Sequence, residues 1–230
     1  MDNKKTLWNA NQKVLKEVLT KPDRFDEAIK LCLEQHAMVH SAEMSQTEEA
    51  TFEDELWEGL EEDIFKTAVN EKGRTVAYGV WHSTRIEDIT MNILVSGGEQ
   101  VINSEEWMKR IGSNICDTGN ALTTEEIMEF SRNISMQELR NYRIAVGRKT
   151  KEIILSFKPA DIKRKMKPER LQRVLDEGAV RNVETANWLI DFWGRKNVAG
   201  ILLMPVTRHH VVHISESMNA KKKGQALQKR

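Results

Sequence analysis

The chain has 230 residues, which is enough for one large domain with a sizeable hydrophobic core. Hydrophobic residues make up 40% of it and charged residues 30%, with only 12 glycines and 4 prolines, a composition that favours long helices over a turn-rich all-β fold. The 35 basic and 35 acidic residues give a formal net charge of zero, so the charge balance gives no reason to expect a nucleic-acid partner.

Membrane and export signals are also missing from the sequence. The longest apolar run, 198–206, is about nine residues long and includes Pro205, well short of the roughly 20 residues that a membrane span needs. The first residues lead into an amphipathic segment without the apolar stretch of a secretion signal. Cys32 and Cys116 are the only cysteines and form neither a CxxC pair nor a disulfide framework. We therefore expect a cytoplasmic protein without a membrane partner.

In the first half of the chain, apolar residues recur at the three- and four-residue steps of a buried helix face. The pattern predicts a helix at 23–42, beginning after Pro22, and a short helix near 52–60 with an acidic outer face. A long helix is predicted at 75–96, and the glycine pair that begins at Gly97 ends it.

Helix-capping patterns predict further helices beyond Gly97. Asn103, Thr123 and Ser135 each stand three residues before a glutamate, as in a capping box, and predict three further helix starts. The third opens a long helix at 135–157. Beyond it, the sequence predicts short basic helices at 158–173, a helix at 183–193, and a last helix from 198 to about 218 with an interruption near Pro205.

Together these elements predict an all-α protein. The four long segments favour a four-helix up-down bundle with additional short helices in the connections. We expect residues 1–220 to form a single domain and the basic segment 221–230 to be a disordered tail.

Histidines are concentrated near the C-terminus. Residues 208–214 read RHHVVHI and contain half of the six histidines. His209 and His213 are four residues apart, so on a helix their imidazoles project from one face at the spacing that can grip one metal ion. Two ligands alone rarely hold a metal, and the other histidines are His36, His40 and His82.

Two motifs in the chain resemble those of the DinB/YfiT-like metalloenzymes. Members of that superfamily are four-helix bundles in which a histidine early in the second helix joins an H-x3-H pair on the last helix. Residues 81–88 (WHSTRIED) look like the first motif and residues 208–214 look like the second. The resemblance implies that His82, His209 and His213 are the three ligands of a divalent metal, with one coordination position left for water or substrate. Zinc is the first choice of metal and nickel the second, since neutral imidazoles suit both.

Three further residues are candidates for supporting these ligands: His40, Arg85 and His210. His210 lies roughly 100° around the helix from His209, so it is expected beside the site rather than among the ligands. Arg85 either forms an ion pair with Asp88 on the same helix face or holds an anionic group of the substrate.

Two more residues of the predicted first helix are interpreted as buried residues without a role in metal binding. His36 is interpreted as a polar member of that helix's buried stripe. Cys32, one turn earlier on the same face, is interpreted as a small buried hydrophobe in preference to a ligand of a Cys-His-His site.

The resemblance implies a metal-dependent enzyme that acts on a small-molecule substrate. Members include transferases and isomerases that use a low-molecular-weight thiol such as bacillithiol or mycothiol, whose pKa a divalent metal lowers. A metal-dependent hydrolase would use the same ligands. A non-enzymatic helical metal-binding or interaction protein is the alternative from another class, and the resemblance makes a homodimer reasonable.

Overall fold

The computed structural model describes residues 2–229, and these residues form helices joined by short connections. Within that range the β-type pairings are two isolated bridges, Val69–Thr75 and Lys165–Asn197, so the all-α prediction is confirmed. No helix in the described range is both long enough and apolar enough to cross a bilayer. The helices are α1 Asp2–Val18, α2 Phe25–Ala37, α3 Ala42–Ser45, α4 Phe52–Trp57, α5 Glu62–Thr67, α6 Val76–Asp88, α7 Trp107–Ile111, α8 Thr124–Asn133, α9 Met136–Leu155, α10 Pro168–Asp176, α11 Glu184–Gly194, α12 Val198–Leu203 and α13 His209–Gln228.

Helix α6 lies at the centre of the molecule, where it packs against α13 and α9. The hydroxyl of Thr75 accepts a hydrogen bond from the backbone N–H of Tyr78 and so caps the start of the helix. A π-helical segment, Ile89–Ser96, continues α6, and Gly97 ends it with a left-handed φ of 76°. Every residue from 75 to 95 is buried, so any charged side chain on this helix must find its partners inside the protein.

A polar layer divides the hydrophobic core. On α6, Trp81 belongs to one apolar cluster and Ile86 to the other. Val211 and Val206, on and just before α13, are divided in the same way, so the polar residues between these positions lie between the two clusters. The same change from one cluster to the other occurs along α9 and between α2 and the residues that follow it. The buried polar and charged residues at this level come from all four segments: His36, His40, His82, Arg85, Glu87, Asp88, Arg143, Thr150, Thr207 and His210.

Two of the three predicted helix starts are confirmed. Thr123 forms a complete capping box at α8, and the Ser135 hydroxyl accepts from the backbone N–H of Glu138 at the start of α9. The box predicted at Asn103 is wrong, because that residue ends a short 3-10 turn. The carboxylate of Asp88 accepts hydrogen bonds from the backbone N–H groups of Val101 and Ile102, and this fixes the turn in place of a helix.

The last helical region is broken near Pro205, as the sequence predicts. A π-helical turn, Met204–Arg208, separates α12 from α13. The helix then continues to Gln228, so residues 221–228 are helical rather than disordered. Gly224 explains the close packing here, because a Cβ at that position would lie only 2.8 Å from the Cβ of Ala68. Lys221, in the same stretch, is only 6% exposed.

Lys221 joins α13 to the end of α4. Its ammonium group donates hydrogen bonds to the carbonyls of Glu55, Leu56 and Glu58, which lack partners within their own short helix. Replacing Lys221 with alanine leaves these carbonyls without their charged donor, so we expect the free energy of unfolding to fall by about 1–3 kcal/mol. Urea denaturation of the wild type and variant measures the difference. The matched control is the exposed neighbour Lys222, whose replacement by alanine should change stability by less than about 0.5 kcal/mol; equal effects of the two substitutions would contradict this role for Lys221.

Candidate metal centre

The structure brings His82, His209 and His213 together, and we call these residues the first cluster. Each offers one ring nitrogen, and the three nitrogens lie within 4.8 Å of one another. The Nε2 atoms of His209 and His213 are 3.1 Å apart, and the ring of His82 lies 4.8 Å from that of His213 between centroids. His82 comes from the second turn of α6 and the other two come from the first turns of α13, which packs against α6.

The ring of His82 is oriented by a loop between α7 and α8. Its Nδ1 lies 2.7 Å from the carbonyl oxygen of Thr118, and since a carbonyl only accepts, Nδ1 carries the proton and Nε2 keeps its lone pair. This contact is one of four hydrogen bonds between the loop and α6. The consecutive carbonyls of residues 116–119 accept hydrogen bonds from one face of α6, and the donors in the order of those carbonyls are Arg85, Trp81, His82 and Tyr78.

A carboxylate stands behind His213. Oε2 of Glu216 lies 3.4 Å from Nδ1 of His213, a distance at which the contact is electrostatic rather than an aligned hydrogen bond. The same carboxylate binds Lys72 at 2.6 Å and Arg74 at 3.3 Å. His213 and these cations hold the pKa of Glu216 far below its usual value, so Glu216 is ionised. The buried Nδ1 of His209, like that of His213, has no hydrogen-bond partner within residues 2–229.

The three imidazoles of the first cluster are neutral at physiological pH. Burial, followed by the proximity of His213, lowers the pKa of His82 to about 3. Burial also lowers the pKa of His213, and burial together with the two neighbouring histidines holds the pKa of His209 well below its usual value. Neutral imidazole is the form that binds metal ions.

The first cluster is open on one side. His82 and His213 are each 5% exposed, whereas His209 is only half-buried. Tyr78 stacks on His82 with ring centroids 5.5 Å apart, and the guanidinium of Arg74 lies 5.7 Å from the centre of the Tyr78 ring. The cluster therefore combines three neutral donors with an accessible edge and a nearby cation.

A second group of histidines surrounds the buried carboxylate of Glu87. Nε2 of His36 lies 2.7 Å from Oε1, and Nε2 of His40 lies 2.8 Å from Oε2. Nε2 of His210 is also 2.8 Å from Oε2, although its N–H bond is not aimed at that oxygen. We call these four residues the second cluster. Burial alone would raise the pKa of Glu87, but His40, His36 and His210 outweigh it and hold that pKa well below the usual value.

The three candidates for supporting the ligands make their hydrogen bonds and ion pairs outside the first cluster. His40 and His210 belong to the second cluster, and His210 also accepts a hydrogen bond on Nδ1 from Arg143. Arg85 is completely buried. It forms the predicted ion pair with Asp88 at 2.8 Å, and three more of its N–H groups donate to Gln100, Tyr142 and the carbonyl of Cys116, so in this buried position it is not placed to bind an anionic substrate. Through the carbonyl of Cys116, Arg85 contacts the loop that also holds His82.

The remaining residues of the predicted first helix are also placed. Cys32 is a buried member of the apolar core, as predicted, and burial raises the pKa of its thiol to about 12. His36 is buried as expected, but its partner is Glu87. The interpretation of His36 as a polar member of a buried stripe missed this contact. One signal in the sequence pointed to this contact. Glu87 is one of only three charged residues between 75 and 98, and a carboxylate in such a largely uncharged helix needs a polar partner inside the protein.

The chain matches no model of a known protein family, and a search of curated proteins finds no match either. The functional interpretation therefore depends on the two motifs and on the geometry of the clusters.

Proposed function

We propose that the protein is a metal-dependent enzyme of the DinB/YfiT-like type, built on a four-helix bundle, in which His82, His209 and His213 bind one divalent ion. The observation that carries the proposal is the convergence of three neutral imidazoles from α6 and α13 within 4.8 Å of one another. Three protein ligands with an accessible edge are the arrangement of catalytic rather than structural metal sites. Zinc is the first choice of metal and nickel the second.

The spacing of the donor nitrogens fits a shared metal ion. The two Nε2 atoms of His209 and His213 face each other at 3.1 Å, which is close to the roughly 3.3 Å between two nitrogens that share one zinc at about 2.0–2.1 Å. A metal on Nε2 of His213 would place the ring proton on Nδ1, opposite Glu216. A carboxylate behind a ligating histidine is the common outer partner in metal sites, and it makes the ring a better donor.

The proposed reaction is transfer of a low-molecular-weight thiol to an electrophilic small molecule. A divalent ion in this site would lower the pKa of a thiol that reaches the open position. The thiol sulfur then forms a bond to the electrophilic carbon, the leaving group departs with its bonding electrons, and the thiol proton passes to solvent. Arg74 would bind an anionic group of the thiol or its acceptor, because it is partly exposed beside Tyr78, which stacks on His82.

The activity is tested with protein purified without a histidine tag and loaded with zinc or nickel. A panel of low-molecular-weight thiols is mixed with an aryl halide, and halide displacement is followed by absorbance. We expect conjugation that a chelator abolishes, that added metal restores, and that falls at least about 100-fold in His82→Ala. The matched control Val212→Ala, which changes an exposed residue of the same helix, should retain it. Conjugation that is absent with every thiol, or that chelator and His82→Ala leave unchanged, would contradict the proposal.

A further inference from the structure

We propose that the second cluster is a separate metal site, in which His36, His40 and Glu87 bind a divalent cation. The ligand-capable atoms of these three residues lie within 4.8 Å of one another, and all three side chains are at most 1% exposed. The inference does not rest on the proposed function, because the two clusters share no residue.

The first reason is the charge of Glu87. Within residues 2–229, the groups that contact its carboxylate at salt-bridge distance are three imidazoles and no lysine or arginine. The guanidinium of Arg143, which contacts His210, pairs with Glu53 at 2.7 Å and donates from its other nitrogens to neutral acceptors. A carboxylate in the interior needs a compensating positive charge. A divalent cation between Glu87 and the imidazoles supplies it.

The second reason is an unpaired ring nitrogen. Nδ1 of His40 is buried and has no hydrogen-bond partner in the described range, although Oε2 of Glu53 lies 3.9 Å away. If Nε2 of His40 binds a metal, the ring proton moves to Nδ1 and faces this carboxylate. Metal-binding histidines usually present their second ring N–H to such an acceptor. Gly147 leaves room for the ring here, because a Cβ at that position would lie 2.8 Å from Nδ1.

Hydrogen bonding also decides which residues are ligands. Arg143 donates to Nδ1 of His210, so Nδ1 is the acceptor and the proton of His210 is on Nε2. Nε2 of His210 therefore cannot bind a metal and faces Oε2 of Glu87 instead. His36 and His40 face different oxygens of the carboxylate, so two imidazole nitrogens and one or both carboxylate oxygens form the donor set. Two histidines and one carboxylate are the ligands of many zinc and iron sites.

The two clusters differ in their access to solvent, and this difference provides a test on the unmodified full chain. The protein is refolded from denaturant with excess Zn²⁺, desalted, and analysed for zinc before and after exposure to a chelator. We expect two zinc ions per chain. The chelator should remove the ion at the open first cluster quickly, and it should remove the buried second ion at least about 100 times more slowly unless denaturant is added.

Variants assign the two ions. A triple variant of the first cluster, His82→Ala with His209→Ala and His213→Ala, should keep one zinc per chain, and adding the isosteric Glu87→Gln should remove it. A folded triple variant without zinc would overturn the second site. If instead the wild type binds one zinc that survives in the triple variant and is lost with Glu87→Gln, the second site stands and the proposed function fails.

A readout on the wild type covers the case in which the triple variant does not fold. Nitrogen-15 NMR of the histidine rings reports which ring nitrogen carries the proton. In zinc-loaded protein, His36 and His40 should have metal on Nε2, and His40 should carry its proton on Nδ1. A proton on Nε2 of both rings would show a hydrogen-bonded network without metal and would overturn the proposal.

Discussion

Replacing His213 with alanine is expected to remove one bound divalent ion per chain. The substitution takes away one of three ligands, and since loss of a mere outer partner already weakens metal binding about 10- to 100-fold, loss of a ligand should weaken it by more than 100-fold. Elemental analysis of untagged protein after dialysis measures the metal content, and titration of the metal-free protein with Zn²⁺ measures the affinity. Val212→Ala is the control, because it alters the adjacent exposed position of α13. Equal metal content in His213→Ala and wild type would contradict the assignment of His213 as a ligand.

Replacing Asp88 with alanine is expected to give the largest loss of stability. Asp88 is completely buried, and its carboxylate accepts hydrogen bonds from five donors: Arg85, Tyr142, Asn92 and the backbone N–H groups of Val101 and Ile102. Its removal leaves the buried guanidinium of Arg85 without its carboxylate, and breaking one side of such a pair costs about 3–5 kcal/mol. Urea denaturation, followed by circular dichroism, gives the change in the free energy of unfolding.

The matched control for this experiment is Asp191→Ala. Asp191 is exposed on α11, so its replacement should change stability by less than about 0.5 kcal/mol. A loss below about 1 kcal/mol in Asp88→Ala would mean that water or neighbouring side chains replace the carboxylate, and the network would then contribute little to stability.

Helix positions follow from the sequence where the signal is local. The capping hydroxyls of Thr123 and Ser135, the glycine at 97 and the proline at 205 act on their immediate neighbours, and the structure confirms all four signals. The errors come from distant contacts. Asn103 has a valid capping pattern, but the carboxylate of Asp88, fifteen positions earlier, determines the backbone there.

The end of the chain shows the same limitation. A basic, polar segment after 220 is typical of a frayed terminus, and no local pattern indicates that Lys221 finds three carbonyls at the end of α4. The helix continues because tertiary contacts override local composition.

The first cluster was accessible from sequence because the resemblance names its three residues, and the structure brings those residues together. The loop carbonyls that orient His82 were not accessible, since a backbone acceptor leaves no trace in residue identity. The second cluster was missed for a different reason. His36 fits a buried helix face as its polar member, the sequence interpretation places His40 in support of the first cluster, and the acidic partner of both lies on another helix.

The polar layer across the core also bears on how the chain reaches its final state. The second cluster and its guanidinium draw on α2, α6, α9 and α13, which are spread from the first quarter of the chain to its end. Contacts between such distant residues form only after long loops have closed, and they are characteristic of late steps in folding. Glu87 therefore remains without its full set of partners until α13 docks. Docking of the C-terminal helix is the event that completes both clusters, because it brings His209 and His213 to His82 and brings His210 to Glu87.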